Sequence, residues 1–180
     1  MPALGIIMVL VVLPLSAMVE VEKGKIPEKY IKAPAGSKLP NGVVIWDVPQ
    51  AMPEIKKRAN HLWVDTRPYS LYRDGSIKDA VCLVYHKNEG ILKKNAGPRL
   101  TRQALYNAMR GKDKIVFFCQ GPKCHRSYNA AIHAVEDWGL PANRVVWFRD
   151  GFPRLYKHIM QSPPLRKRRV RYMQGFILSR

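Results

Sequence analysis

Five short apolar runs punctuate the middle of the chain: Val43–Trp46, Leu62–Val64, Val81–Tyr85, Ile115–Phe118 and Val145–Phe148. Each is rich in β-branched or aromatic residues and too short for a helix, which predicts buried strands. Helical spacing falls between them. Thr101 is placed to cap a helix that carries Leu105, Ala108 and Met109 and stops at Gly111. Ser127 is placed to cap a second, with Ala131, Ala134, Val135 and Trp138 on one side and Gly139 and Pro141 closing it. A weaker helical pattern covers residues 51–59, and a last one starts at Pro153–Lys157. Strands alternating with helices predict an α/β fold: a mostly parallel five-stranded sheet with helices on both faces.

The ends of the chain differ from this middle. Residues 1–19 carry no charged side chain, and 14 of the 17 residues from Ala3 to Val19 are Ala, Ile, Leu, Met or Val. Such a stretch suits a signal peptide or a short N-terminal membrane anchor. Leu15-Ser16-Ala17 offers small residues for cleavage after the helix-breaking Pro14, although no Lys or Arg precedes the apolar run. A buried core helix is the plainer alternative. Export would place the folded part in the periplasm or another extracytoplasmic space, where cysteine pairs oxidise. Residues 20–42 contain Lys, Pro and Gly without apolar periodicity and suggest a linker. The predicted domain then spans 43–157, followed by a basic tail over 158–180.

Composition narrows the possibilities. At 180 residues, 47% hydrophobic and 24% charged, the chain has material for one core, which excludes global disorder, a collagen-like repeat and a multi-span membrane protein. Its net charge is +18, and residues 151–180 hold eight Lys or Arg and no acid. The densest patch runs from Leu165 to Arg171, between Pro163-Pro164 and an apolar end. Such a tail suits an anionic membrane surface or an acidic redox protein, with a solvated tail as the plainer alternative. Nucleic acid is not an expected partner, because no DNA- or RNA-binding motif accompanies the charge and an exported chain would not meet it.

Candidate chemistry concentrates in Cys119-Gln-Gly-Pro-Lys-Cys124-His-Arg-Ser127, which joins a predicted strand to a predicted helix. In parallel α/β sheets, sites form where strand C-termini meet helix N-termini. A cysteine there faces backbone N–H groups and the positive helix end, with Lys123 and Arg126 adding charge. This environment lowers a thiol pKa and holds an anion beside it. Cys119 is therefore the candidate nucleophile and Arg126 a candidate anion partner. Gly121, Lys123, His125 and Ser127 complete the candidate binding loop for a small sulfur-containing anion or a thiol acceptor. A buried cysteine that merely ends a strand is the bland alternative.

The chain from about Val43 to Tyr156 resembles a single rhodanese domain. Asp65-Thr66-Arg67 matches that family's D-x-R after its second strand. Tyr72-Arg73-Asp74-Gly75-Ser76-Ile77-Lys78-Asp79-Ala80 matches its Y-x-x-G-H-I-x-G-A segment, with Ser76 and Asp79 replacing His and Gly. Ile115–Ala131 matches the active strand, loop and helix, and Asp150-Gly151-Phe152 fits the G-G-[FW] after the last strand. The resemblance implies that Cys119 accepts a sulfane sulfur as a persulfide and passes it on, with Asp65 and Arg67 in supporting places. The loop reads C-x6-R from Cys119 to Arg126, longer than the usual C-x4-R of the sulfurtransferases and the C-x5-R of phosphatases on the same fold. It is similar to a set of exported rhodanese-like proteins associated with PQQ-dependent alcohol oxidation. These carry C-x3-C-W before S-W-N-A-A, where this chain has C-x4-C-H before Ser127-Tyr128-Asn129-Ala130-Ala131.

Three readings of Cys124 stand side by side. It is a resolving thiol that closes a Cys119–Cys124 disulfide by exchange. It is half of a structural disulfide, or an idle thiol, on a non-catalytic scaffold that docks to a partner. Or Cys119-x4-Cys124-His125 is a spaced variant of the c-type haem attachment motif C-x2-C-H, with His125 as axial ligand. Cys82 is expected as a buried, inert core thiol. Asp65 is expected to orient the active loop or a helix N-terminus, or to be a plain strand-end carboxylate, and Arg67 to be structural. The histidines show no metal-ligand spacing with one another, so no metal site is expected.

Overall fold

A computed structural model of the chain describes residues 24–86 and 97–178. The apolar stretch over 1–19 lies outside them. The strands are β1 (Val44–Trp46), β2 (His61–Asp65), β3 (Ser76–Ile77), β4 (Val81–Cys82), β5 (Lys114–Phe118), β6 (Val145–Phe148) and β7 (Met173–Gln174). The helices are α1 (Glu28–Ile31), α2 (Val48–Lys56), α3 (Tyr69–Asp74), α4 (Arg102–Ala108), α5 (His125–Glu136), α6 (Gly151–Gln161) and α7 (Pro163–Lys167). Five strands form one sheet in the order β1-β6-β5-β2-β4, every pair parallel. β5 lies at its centre, so the strand leading into Cys119 is flanked on both sides.

Alternation within the strands feeds two apolar layers. Val43, Ile45, Leu62, Val64, Ile115, Phe117, Val145 and Trp147 pack on one face with residues of α4 and α5. Trp63, Val116, Phe118, Val146 and Phe148 pack on the other with residues of α2 and α6. The expected α/β fold, a parallel five-stranded sheet between helices, is what the chain forms.

Several boundaries shift for identifiable reasons. The weak helix expected over 51–59 runs over Val48–Lys56, because Pro49 is accommodated in the first turn while Val48, Ala51, Met52 and Ile55 turn inward. The strand expected over 81–85 ends at Cys82, beyond which Val84 bridges to Arg99. Thr101 caps α4 as expected, accepting the Ala104 N–H at 3.1 Å. Ser127 does not cap α5. The cap position is Cys124, and Ser127 lies one turn in, accepting the Trp147 indole N–H at 3.2 Å in the core.

Both segments expected to flank the domain are built onto it. Within the expected linker, Ile26 and Leu39 are buried. Ser37 and Gly36 exchange backbone hydrogen bonds with Ile45 at the sheet edge. Arg149 holds this strap, donating to the carbonyls of Tyr30 at 2.8 Å and Ala33 at 2.7 Å while its other nitrogens pair with Asp47. Asn129 of α5 accepts the Gly24 N–H at 2.7 Å. The strap explains why α5 is buried almost all round from Ser127 to Val135, where one apolar side was expected. At the other end α6 continues through Gln161, past the expected boundary at 157. The basic tail then returns, and β7 pairs antiparallel with β3, burying Met173 completely. Neither segment shows apolar periodicity, because each is anchored by a few scattered side chains, Ile26 and Leu39 in the strap and Ile159, Tyr172 and Met173 in the tail. Among the described residues, no helix is long and apolar enough to cross a membrane.

Candidate active site

Cys119 follows the last residue of β5, and Cys124 caps α5. Their sulfurs are bonded to each other across the loop, with the two Cα atoms 6.3 Å apart. The loop turns at Gly121, whose carbonyl accepts the Cys124 N–H at 2.9 Å. Gly121 has φ of +149°, a backbone conformation open to glycine and strained for other residues. The disulfide therefore lies at the N-terminus of a 12-residue helix whose partial positive charge favours a thiolate.

The two cysteines occupy different surroundings. Cys119 has no exposed surface, whereas Cys124 is partly exposed. Three backbone contacts hold the buried end. Thr66 donates both its N–H (3.0 Å) and its hydroxyl (2.9 Å) to the carbonyl of Phe118. The Phe152 N–H donates to the carbonyl of Cys119 at 3.0 Å. Gly151 lets the chain pass: a Cβ there would stand 2.3 Å from the Cys119 carbonyl oxygen.

Arg126 sits beside Cys124, its Nη1 3.9 Å from Cys124 Sγ. Burial pushes the Arg126 guanidinium below its ordinary pKa, although arginine remains cationic in proteins. Lys123 and His125 face a groove of about 720 Å³ whose opposite wall is the strap, with Lys25, Ile26, Pro27, Glu28 and Ile31. The His125 ring meets the edge of His86 at 5.0 Å. A covalent haem would need both sulfurs as thioethers; here they are joined to each other. Among the described residues, no group of three His, Cys, Asp or Glu side chains converges as metal ligands would.

Asp65 and Arg67 belong to a separate buried assembly. Arg67 donates to Asp65 through Nε (2.9 Å) and Nη2 (2.6 Å), and to the Gly75 carbonyl at 2.6 Å. Ser76, standing where the resembled motif has His, donates to Asp65 Oδ2 at 2.7 Å. Asp65 thus orients the turn before β3 instead of the cysteine loop. The link to the site is indirect: the Arg67 guanidinium lies 4.8 Å from the centre of the Phe152 ring, and Phe152 holds Cys119. Cys82 is buried, and desolvation, with Asp65 adding to it, pushes its thiol up to about 12.

Residues 48–158 match the Rhodanese-like domain family, well over half of the chain. The chain belongs to the rhodanese-like family. No curated protein matches it. Two structures of yeast Ygr203w are similar in fold. One, from Saccharomyces cerevisiae and described as a homologue of single-domain rhodanese and the Cdc25 phosphatase catalytic domain, is 16% identical with a TM-score of 0.52; 78% of this chain and 93% of that one are covered. The other, described as a yeast protein tyrosine phosphatase of the rhodanese family, is 16% identical with a TM-score of 0.51, covering 77% and 96%. A Bacillus halodurans protein is 22% identical over 73% of this chain and 76% of its own, with a TM-score of 0.46. At these identities the likeness establishes the fold alone, and the chemistry of this rhodanese-like domain rests on its own residues.

Residues missed by sequence reasoning are Thr66, Asn129 and Arg149, which position the strand end, the strap and the α5 flank. Thr66 and Asn129 lie inside quoted motifs, but nothing in a polar residue type tells which distant backbone group it will meet.

Proposed function

We propose that this rhodanese-like protein transfers sulfur by a thiol cycle in which Cys119 is the nucleophile and Cys124 the resolving thiol. The observation that carries the reading is the Cys119–Cys124 disulfide at the junction of β5 and the N-terminus of α5. In the first step, in the reduced protein with the bond to Cys124 open, the Cys119 thiolate attacks a sulfane donor, forming a Cys–S–S⁻ persulfide and releasing the rest of the donor as an anion or thiolate. The Cys124 thiolate then attacks the Cys119 sulfur, expelling hydrosulfide and leaving the disulfide. A thiol reductant supplies the two electrons that reopen it. Arg126 and the helix N-terminus stabilise the anions, and the groove beside Lys123 and His125 admits the thiol reductant. The leader over 1–19 and the C-x4-C-H loop support placing the protein outside the cytoplasm, among the exported rhodanese-like proteins associated with PQQ-dependent alcohol oxidation.

The test is persulfide formation from thiosulfate or inorganic polysulfide, followed by intact mass and by sulfide release. The wild-type protein gains and then releases sulfur, and Cys119→Ser does neither. Full activity in Cys119→Ser would remove Cys119 from the chemistry. A second reading draws on the complete burial of Cys119: a rhodanese scaffold stapled by a structural disulfide, docking to an acidic redox protein or an anionic membrane through its basic surface. It predicts salt-sensitive association that persists in the cysteine variants.

A further inference from the structure

We infer that the disulfide is reopened from the Cys124 side: an incoming thiolate bonds to Cys124 Sγ, and Cys119 departs as the thiolate. This rests on the thiol cycle proposed above and names the sulfur at which its reductant enters.

Access separates the two sulfurs. Thiol–disulfide exchange requires the attacking thiolate to reach one sulfur opposite the bond that breaks, and the reachable sulfur is the one attacked. Cys119 is wholly buried, and its backbone carbonyl is held by the Phe152 N–H and closely approached by Gly151. Cys124 is partly exposed on the far side of the Gly121 turn.

Charge draws an anionic nucleophile to this end, and access decides which sulfur departs, because Arg126 and the helix N-terminus would stabilise a Cys124 thiolate as well. The Arg126 guanidinium lies 3.9 Å from Cys124 Sγ, where it attracts an anionic nucleophile to that sulfur. The groove of about 720 Å³ between Lys123, His125 and the strap is lined by the residues on either side of Cys124 and has the size of a small-ligand site. Lys25 and Lys123 give it two cations against one acid, Glu28, over an apolar wall of Ile26, Pro27 and Ile31. Such a groove takes a thiol carried on an acidic peptide, either a free peptide thiol or the cysteine-bearing segment of a protein dithiol.

The steps balance. The first thiolate forms an S–S bond to Cys124, and the Cys119–Cys124 bond breaks with its electron pair on Cys119. A second thiolate of the reductant attacks the mixed disulfide, freeing Cys124 and leaving as the oxidised reductant. Two electrons pass to the protein, and the two protons of the reductant thiols go to solvent or to the new thiolates. The product of the first step, Cys119 as thiolate, is the nucleophile that the next sulfur uptake requires.

The experiment is site mapping of the mixed disulfide on the oxidised full chain. The protein is exposed briefly to reduced glutathione, or to a thioredoxin with a single active-site cysteine, then acid-quenched, alkylated and digested with trypsin. Cleavage after Lys114, Lys123 and Arg126 puts Cys119 and Cys124 on different peptides. The expected result is the adduct on Cys124 and the alkyl group on Cys119, in about tenfold excess over the reverse. Arg126→Gln is expected to slow opening by anionic glutathione about threefold more than opening by cationic cysteamine. An adduct only with glutathione assigns the groove to a small peptide thiol, and one only with thioredoxin assigns it to a protein dithiol. Equal or greater adduct on Cys119 overturns the inference while the thiol cycle stands, and no opening by either probe overturns the inference together with the reductive step of that cycle. An untreated protein with two free thiols and no disulfide on oxidation overturns both.

Discussion

The backbone N–H of Phe152 donates to the carbonyl of Cys119 at 3.0 Å. This bond ties the turn after the last sheet strand to the buried half of the disulfide, so the loop has one fixed end and one free end. Cys119 is fixed and Cys124 is the end that solvent reaches, which is the asymmetry a directional thiol cycle uses.

Gly151→Ala is expected to destabilise the fold by about 3 kcal/mol or more. Its φ is +65°, and the added Cβ would stand 2.3 Å from the Cys119 carbonyl oxygen. Urea denaturation measures the loss; a change below about 1 kcal/mol would mean that the turn relaxes freely.

Reduction of the disulfide is expected to lower stability by about 2 kcal/mol, the chain-entropy value for so short a loop. Parallel denaturation of the oxidised and reduced proteins reads this directly, with Cys124→Ser matching the reduced form. Because the loop is small, the reduced protein is expected to keep its fold, as a catalytic disulfide must.

Cys82 is expected to resist iodoacetamide at pH 8 in the native protein and to react once the chain unfolds, because burial pushes its thiol up to about 12. The same shift has a pH signature. Below pH 9 the thiol is protonated in both states and its contribution to stability is complete. Between about pH 9 and 12 the unfolded chain ionises while the folded one does not, so stability falls as pH rises. Cys82→Ala is expected to flatten that alkaline decline.

Arg149→Met is expected to loosen the strap at a cost of about 3 kcal/mol, since it strands Asp47 and frees the carbonyls of Tyr30 and Ala33. Asn129→Ala removes the contact with Gly24 alone and is expected to cost about 1 kcal/mol. Limited trypsin digestion at Lys25, Lys29 and Lys32 would report release of the strap as faster cleavage. An unchanged cleavage pattern in Arg149→Met would show that buried Ile26 and Leu39 suffice to hold it.

The amino-acid sequence by itself determined the sheet, the order of strand and helix, and the loop where the chemistry lies. These depend on local pattern: the unbroken apolar run Ile115–Phe118, helical spacing after Ser127, and a cysteine at a strand end are all legible over a few residues. Tertiary structure decided the rest. It set Ser127 against Trp147 instead of at the helix cap, gave the cap to Cys124, and spent Asp65 on Arg67 and Ser76 instead of on the active loop. It also turned an expected linker and an expected tail into a strap and an extra strand. Each of these depends on a polar or apolar group meeting a partner far along the chain, and no local pattern records which partner that is. The same long-range packing buried Cys119 and left Cys124 partly exposed, making two cysteines five residues apart chemically unequal.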